Sequence, residues 1–228
     1  MTVQLYVDMR SQPCRAVVMF LKLTDIPHEL QYIDIFAGEH KKPEFADKFP
    51  LQTLPGLKDG DFYLGEMVAI FHYLIAKYAN KIEDHWYPKD LEARARVDEY
   101  IAFHHTGTRG KCMALFVAEV FAPAKDKEKI KTEAKNLKQG LDKIETCFLK
   151  DNNFLCGNEI SIGDIMAVCE FMQFTVNGRD IFKDNPKMKG HMDRVKARLQ
   201  PTFDEIHAKI YAWGDSLPKD VSCRCLIM

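Results

Sequence analysis

Residues 54–75 read Leu54-Pro55-Gly56-Leu57-Lys58-Asp59-Gly60-Asp61-Phe62-Tyr63-Leu64-Gly65-Glu66-Met67-Val68-Ala69-Ile70-Phe71-His72-Tyr73-Leu74-Ile75, and this stretch decides the fold. Leu54 to Leu57 starts a strand. Lys58-Asp59-Gly60-Asp61 is a hairpin turn, Asp-Gly being a favoured pair at the tip. Phe62-Tyr63-Leu64 is the returning strand. Glu66 then opens a helix whose apolar face carries Val68, Ile70, Phe71, Leu74 and Ile75. A hairpin leading straight into an amphipathic helix calls for a sheet already in place beside it.

That sheet is written upstream. Gln4-Leu5-Tyr6-Val7 is β-prone and is broken at Met9-Arg10-Ser11-Gln12. Pro13 suits a first helical position, where its missing N–H costs nothing. Val17, Val18, Phe20 and Leu21 then share a helical face before Ile26-Pro27. Glu29 to Ile35 alternates polar with apolar, as a strand does, and a short helical segment follows at Pro43–Lys48. The order is β-α-β-α-β-β-α. Its first two strands are joined through a helix and are expected parallel with a right-handed crossover. The expectation is a mixed four-stranded sheet in a thioredoxin-like domain over 1–80. A linker follows at 81–89, then an all-helical bundle over 90–214 and a tail over 215–228. Helices are read at about 90–120, 125–149, 161–176, 186–199 and 201–213, with Pro123, Pro186 and Pro201 at their boundaries. The class is therefore α/β plus all-α.

Composition excludes several functions. The chain has 228 residues with 32 Lys+Arg against 33 Asp+Glu, and a net charge of −1 gives no footprint for nucleic acid. Hydrophobic residues make up 46%, enough to offset chain entropy, so disorder is not expected. No apolar run reaches the roughly 18 residues of a membrane span. The start, Met1-Thr-Val-Gln-Leu, reads as lacking a secretory signal. Seven cysteines, mostly inside apolar stretches and without paired C-x-x-C motifs, read as reduced thiols of a cytosolic protein with no metal site.

Three places carry chemistry. Ser11-Gln12-Pro13-Cys14 lies between a strand and a helix N-terminus, where backbone N–H groups and the helix dipole favour negative charge. A hydroxyl there is placed to donate to a bound thiolate and so lower its pKa; the other reading is that Ser11 only caps the helix. Because Ser11 occupies the first position of the would-be C-x-x-C, Cys14 reads as a buried apolar residue and a dithiol mechanism is excluded. Leu54-Pro55 directly before a strand is a candidate cis bond, which turns backbone groups outward to pair with an extended peptide; an ordinary strand-initiating proline is the alternative. Glu66 is placed to bind an ammonium and the Met67 N–H a carboxylate, while His40, Lys41 and Lys42 are nearest for a second carboxylate. Together these ask for a short peptide with a central thiol, a carboxylate at one end and an amino-acid head at the other. Glutathione has that shape.

At these residues the chain resembles the cytosolic glutathione S-transferases, and specifically the theta class. The strongest segments are Ser11–Val17, Leu57–Phe62, Val68–Ile70, Trp86–Pro88 with Ala93–Tyr100, and the helix cap Ser161-Ile162-Gly163-Asp164. Each motif alone is weak; their joint order and spacing are specific. The resemblance implies glutathione as co-substrate and no metal. It makes Ser11 the residue that holds the glutathione sulfur. Gln12, His40, Lys41, Leu54, Pro55, Glu66 and Met67 then hold the tripeptide, and the helical half lines a pocket for small hydrophobic electrophiles. It further implies a cytoplasmic homodimer that conjugates glutathione to electrophiles in detoxification, with reduction of organic hydroperoxides as a related activity. The competing expectation is a non-catalytic binding protein of the same fold for apolar ligands, associated with membranes.

Three departures stand out. The family places Ser after the conserved Glu, and this chain has Met67. The loop before the proline carries Gln52 and Thr53 where relatives tend to be basic. The chain ends Cys223-Arg224-Cys225-Leu226-Ile227-Met228, in which Cys225 fits a C-a-a-X prenylation signal. A single lipid anchors only marginally, so the expectation is weak, reversible membrane association.

Overall fold

β1 (Val3–Val7) is flat to the core: Val3, Leu5 and Val7 are fully buried, while Gln4 and Tyr6 alternate to the other face. It belongs to a computed structural model that describes residues 2–216. The prenylation signal at Cys225 lies outside the described residues.

The chain divides into two compact units: the chain up to Glu83 with Pro201–Ile206, and Asp84–Gln200 with the chain from His207. In the first, Ser11 sits at the N-cap of α1 (Gln12–Leu23) and Pro13 in its first turn. α1 returns the chain to β2 (His28–Tyr32), which pairs parallel with β1 from Val3↔His28 to Val7↔Tyr32. A 3-10 turn at Glu39–Lys41 and α2 (Pro43–Ala46) follow. β3 (Gly56–Asp59) and β4 (Phe62–Gly65) form the expected antiparallel hairpin, with Gly60 at φ +60° in its turn. β3 also pairs antiparallel with β1, giving a mixed sheet in the order β2-β1-β3-β4. α3 (Met67–Lys77) packs on α1, the rings of Phe20 and Phe71 meeting edge to face at 5.3 Å.

β2 stops at Tyr32 although the alternation runs on to Ile35. The reason is electrostatic. The Asp34 carboxylate accepts the N–H groups of Phe36 and Ala37 at 2.9 and 3.1 Å, and Asp8 accepts the N–H of Ile35 at 3.1 Å. The Ile33 N–H still donates to the Val7 carbonyl at 2.9 Å, but the N–H of Asp34 goes to the Glu39 carboxylate and that of Ile35 to Asp8, so side chains take the last donors of the expected strand. β3 likewise starts at Gly56, two residues later than the pattern indicates.

The second unit is helical. α4 (Leu91–Phe103) starts at Asp90, whose carboxylate accepts the N–H of Ala93 at 2.9 Å. It runs through a π-helical stretch, His104–Arg109, into α5 (Gly110–Phe116) and a second such stretch, Val117–Phe121. α6 (Lys127–Lys143) ends in a third, Ile144–Phe148. α7 (Ile162–Phe171), α8 (Pro186–Arg198) and the part of α9 (Thr202–Ser216) from His207 complete it. The α7 capping box is formed, and the buried Asp164 does more than cap. It accepts from the N–H groups of Ser161 and Leu155 and lies 2.7 Å from His191 Nε2.

Candidate functional site

Strand register brings the sequence-predicted site residues to one end of the sheet. Val7, the last residue of β1, pairs with Tyr32, the last of β2. Tyr6 pairs with Gly56, the first residue of β3, and Gly56 pairs with Gly65, the last of β4. The Ser11 turn, the loop after Tyr32, the Leu54-Pro55 approach to β3 and the start of α3 therefore all leave from the same edge.

The Ser11 turn is held from several sides. The N–H of Ser11 donates to the Asp8 carbonyl at 2.9 Å, and the Ser11 carbonyl accepts the N–H of Arg15 at 3.1 Å. Ser11 sits at the N-cap in extended backbone, yet its side chain makes no capping bond. The hydroxyl is thus not committed to closing the helix, which removes the plain capping reading. Gln12 is buried beside it at the first position of α1. Cys14 is fully buried, and burial pushes its thiol up to about 11 against the opposing effect of a hydrogen bond with the Ser11 side chain. A thiol so far from ionised at pH 7 is a packing residue, in keeping with the sequence reading.

His40 sits in the Glu39–Lys41 turn, entered through Gly38 at φ +71°. Burial first and the Lys41 ammonium second push its pKa down, so the ring is neutral at pH 7. Its Nδ1 is buried and has no hydrogen-bond partner among the described residues. Lys41 is exposed. The Leu54–Pro55 bond is cis, as the sequence position indicated, with both residues buried. Gly56 is required there, because a Cβ would come within 2.6 Å of the Phe49 ring. Glu66 is the N-cap of α3 and exposed, and its φ of +67° is a conformation that non-glycine residues seldom hold. Met67, the first residue of α3, is 8% exposed. Of the three non-glycine residues with positive φ among those described, two, Gln52 and Glu66, lie in segments at this edge. Such backbone clusters where a ligand site over-determines geometry.

Sequence reasoning missed the groups beneath the site. Arg15 is fully buried, and its guanidinium donates to the carbonyls of Met9 and Arg10 at 3.1 and 2.9 Å, gripping the turn that presents Ser11. Asp8, 5% exposed, accepts the Arg10 backbone N–H at 2.9 Å and Arg10 Nε at 2.9 Å. Burial pushes Asp8 up, but the bonds from Arg10 and Ile35 outweigh it and hold the carboxyl below its ordinary value. Arg10 also reaches Asp34 at 2.6 Å. The only signal for these contacts was an isolated Asp and Arg closing an apolar strand, which specifies no partner. Among the described residues no group of three or more His, Cys, Asp or Glu is placed to hold a metal ion, and no helix is long and apolar enough to cross a membrane.

Known proteins agree with this layout. The family model for the glutathione S-transferase N-terminal domain matches residues 5–82, and that for the C-terminal domain matches residues 118–194. The chain is 42% identical to bovine glutathione S-transferase theta-1, covering 98% of this chain and 95% of that protein. It is 40% identical to the human theta-1 protein, covering 100% of this chain and 97% of that one. Among solved structures, human theta-class glutathione transferase in complex with the glutathione conjugate of 1-menaphthyl sulfate superposes with a TM-score of 0.89. The two are 38% identical, over 94% of this chain and 89% of that one. Both halves of the chain and its full length thus point one way: the chain belongs to the glutathione S-transferase family, among its theta-class members.

Proposed function

We propose that this glutathione transferase binds the tripeptide along the carboxyl edge of its sheet and activates the sulfur through Ser11. The observation that carries the reading is the register that places the Ser11 turn, the cis-Pro55 segment and the Glu66-Met67 helix start at one edge, with the Ser11 side chain unused as a cap. The peptide pairs with backbone groups at Leu54 and Pro55. Glu66 takes the α-ammonium of the γ-glutamyl group, and the N–H of Met67 takes its carboxylate. His40, Lys41 and Gln12 hold the remainder. At the N-terminus of α1 the dipole and the Ser11 hydroxyl favour the anionic sulfur. The thiolate then attacks an electrophilic carbon, a C–S bond forms, and the leaving group departs with the bonding pair.

The electrophile is held by the helical region 90–214. A solved theta-class relative carries the glutathione conjugate of 1-menaphthyl sulfate, which supports small hydrophobic electrophiles as the class. Ser11→Ala should lower kcat on the order of 10²-fold, with a smaller effect on glutathione binding by calorimetry. Turnover within about twofold of wild type on a panel of halides, epoxides, sulfates and hydroperoxides would remove Ser11 from its role. No glutathione binding to the wild-type chain at millimolar ligand would favour the non-catalytic reading, to which Met67, Gln52 and Thr53 lend support.

The family setting supports a cytoplasmic homodimer, and the terminal Cys225-Leu226-Ile227-Met228 supports reversible membrane attachment through a lipidated Cys225. Sedimentation equilibrium should return twice the 26.3 kDa chain mass, and the chain mass itself would dispose of the dimer. Intact-mass analysis after expression in a eukaryotic cell should show a prenylated chain; an unmodified mass ending at Met228 sinks the anchor.

A further inference from the structure

The loop that follows β2 leaves the sheet at Tyr32 and is next placed in regular structure at the Glu39–Lys41 turn. Ile33 still donates its N–H to the Val7 carbonyl at 2.9 Å, and beyond it side chains take most of the backbone donors. The N–H of Ile35 donates to Asp8 at 3.1 Å. Asp34 Oδ1 accepts from Phe36 and Ala37, and the N–H of Asp34 donates to the Glu39 carboxylate at 2.7 Å. The N–H of Glu39 returns to the Asp34 carbonyl at 3.1 Å. One side chain joins this loop to the Ser11 turn. Arg10 Nη2 donates to Asp34 Oδ1 at 2.6 Å, and the guanidinium stacks over the Phe36 ring at 4.2 Å. Its Nε meanwhile bonds Asp8, directly below Ser11. The sequence Asp8–Arg10–Asp34–Glu39 therefore runs without a break from the Ser11 turn to the residue before His40.

We propose that Arg10 is a positioning residue for glutathione capture, clamping the Asp34–Glu39 loop to the Ser11 turn so that His40 and Lys41 meet the peptide at a fixed distance from the sulfur site. It touches neither the sulfur nor the reacting carbon. The proposal rests on the reading that His40 and Lys41 hold glutathione. Arg is suited to the task because its planar fork serves two carboxylates at once while its face covers an aromatic ring. A loop that must be ordered upon each binding event loses affinity by the cost of that ordering, so a preformed clamp acts on binding and leaves the chemical step alone.

The test compares Asp34→Asn, Arg10→Leu and Arg10→Lys with wild type and with Ser11→Ala, on the full chain and an electrophile that wild type turns over. Asp34 is half-exposed, and an asparagine keeps an acceptor for the Phe36 and Ala37 N–H groups, so that variant removes the charge pairing without a buried vacancy. Asp34→Asn and Arg10→Leu should each raise the KM and the calorimetric Kd for glutathione about tenfold, with kcat within about twofold. Arg10→Lys should recover part of the loss, and the double variant should be no worse than Arg10→Leu alone. Hydrogen exchange should speed up over residues 34–41 in both single variants. Unchanged glutathione KM in Asp34→Asn, or a fall in kcat as large as the rise in KM, overturns the clamp. Failure of wild type to bind glutathione, or full activity of Ser11→Ala, overturns the underlying reading instead.

Discussion

Met67 is where the proposed glutathione site departs most from the family pattern that the sequence resembles. Its backbone N–H opens α3, its side chain is a thioether without a donor, and that side chain is packed at 8% exposure. Met67→Ser restores a donor beside the proposed γ-glutamyl carboxylate. A charge-assisted bond contributes on the order of 1.5–3 kcal/mol, so calorimetry should show glutathione binding about tenfold tighter. The same change should cost about 2 kcal/mol of stability in urea unfolding, because a buried side chain is truncated. An affinity unchanged or weaker would mean that the carboxylate lies elsewhere. At this scale the sequence was legible for local backbone roles: Ser11 and Glu66 stand at helix N-caps and the bond before Pro55 is cis. It was silent on Arg15 and Arg10, because an arginine's significance lies in partners that only folding supplies.

Elements were legible where punctuation and periodicity agree. Asp59-Gly60 turned the hairpin, Pro13 and Pro186 opened helices, and Ser161 with Asp164 capped α7. The overextension of β2 has a local cause: Glu39 and Asp8 intercept the backbone donors of Asp34 and Ile35, and alternation by itself cannot register that competition. The π-helical stretches inside the long helices at 91–121 and 127–148 were equally hidden, since residue type does not distinguish an i→i+5 bond from an i→i+4 one. Asp164 gives the sharpest element-level test. Asp164→Ala strands the N–H of Leu155, the N–H of Ser161 and the fully buried His191 ring at once. It should lower unfolding stability by about 3–5 kcal/mol. A loss under about 1 kcal/mol would show that this hub is dispensable.

For the molecule as a whole, the break near residue 80 is visible in the sequence because the period of apolar residues changes from mixed to helical there. The sheet order β2-β1-β3-β4 was not readable from the same pattern: parallel β1–β2 and the hairpin follow from connections, but nothing local says that β3 rather than β4 lies against β1. That one pairing, Tyr6 with Gly56, carries the proline segment to the Ser11 turn. The site is thus a product of topology, assembled from four stretches that are individually ordinary.

Glu66 shows what such assembly demands. Held at φ +67° with its side chain in solvent, it returns little to the folded state, and a glycine would occupy that backbone without conflict. Glu66→Gly should therefore melt later, by about 1 kcal/mol after glycine's greater freedom in the unfolded chain is subtracted, while losing glutathione turnover. An earlier melt would show the carboxylate to be structural. Selection for heat resistance alone would then favour loss of this acid, and its persistence would be owed to the proposed contact with the peptide's ammonium.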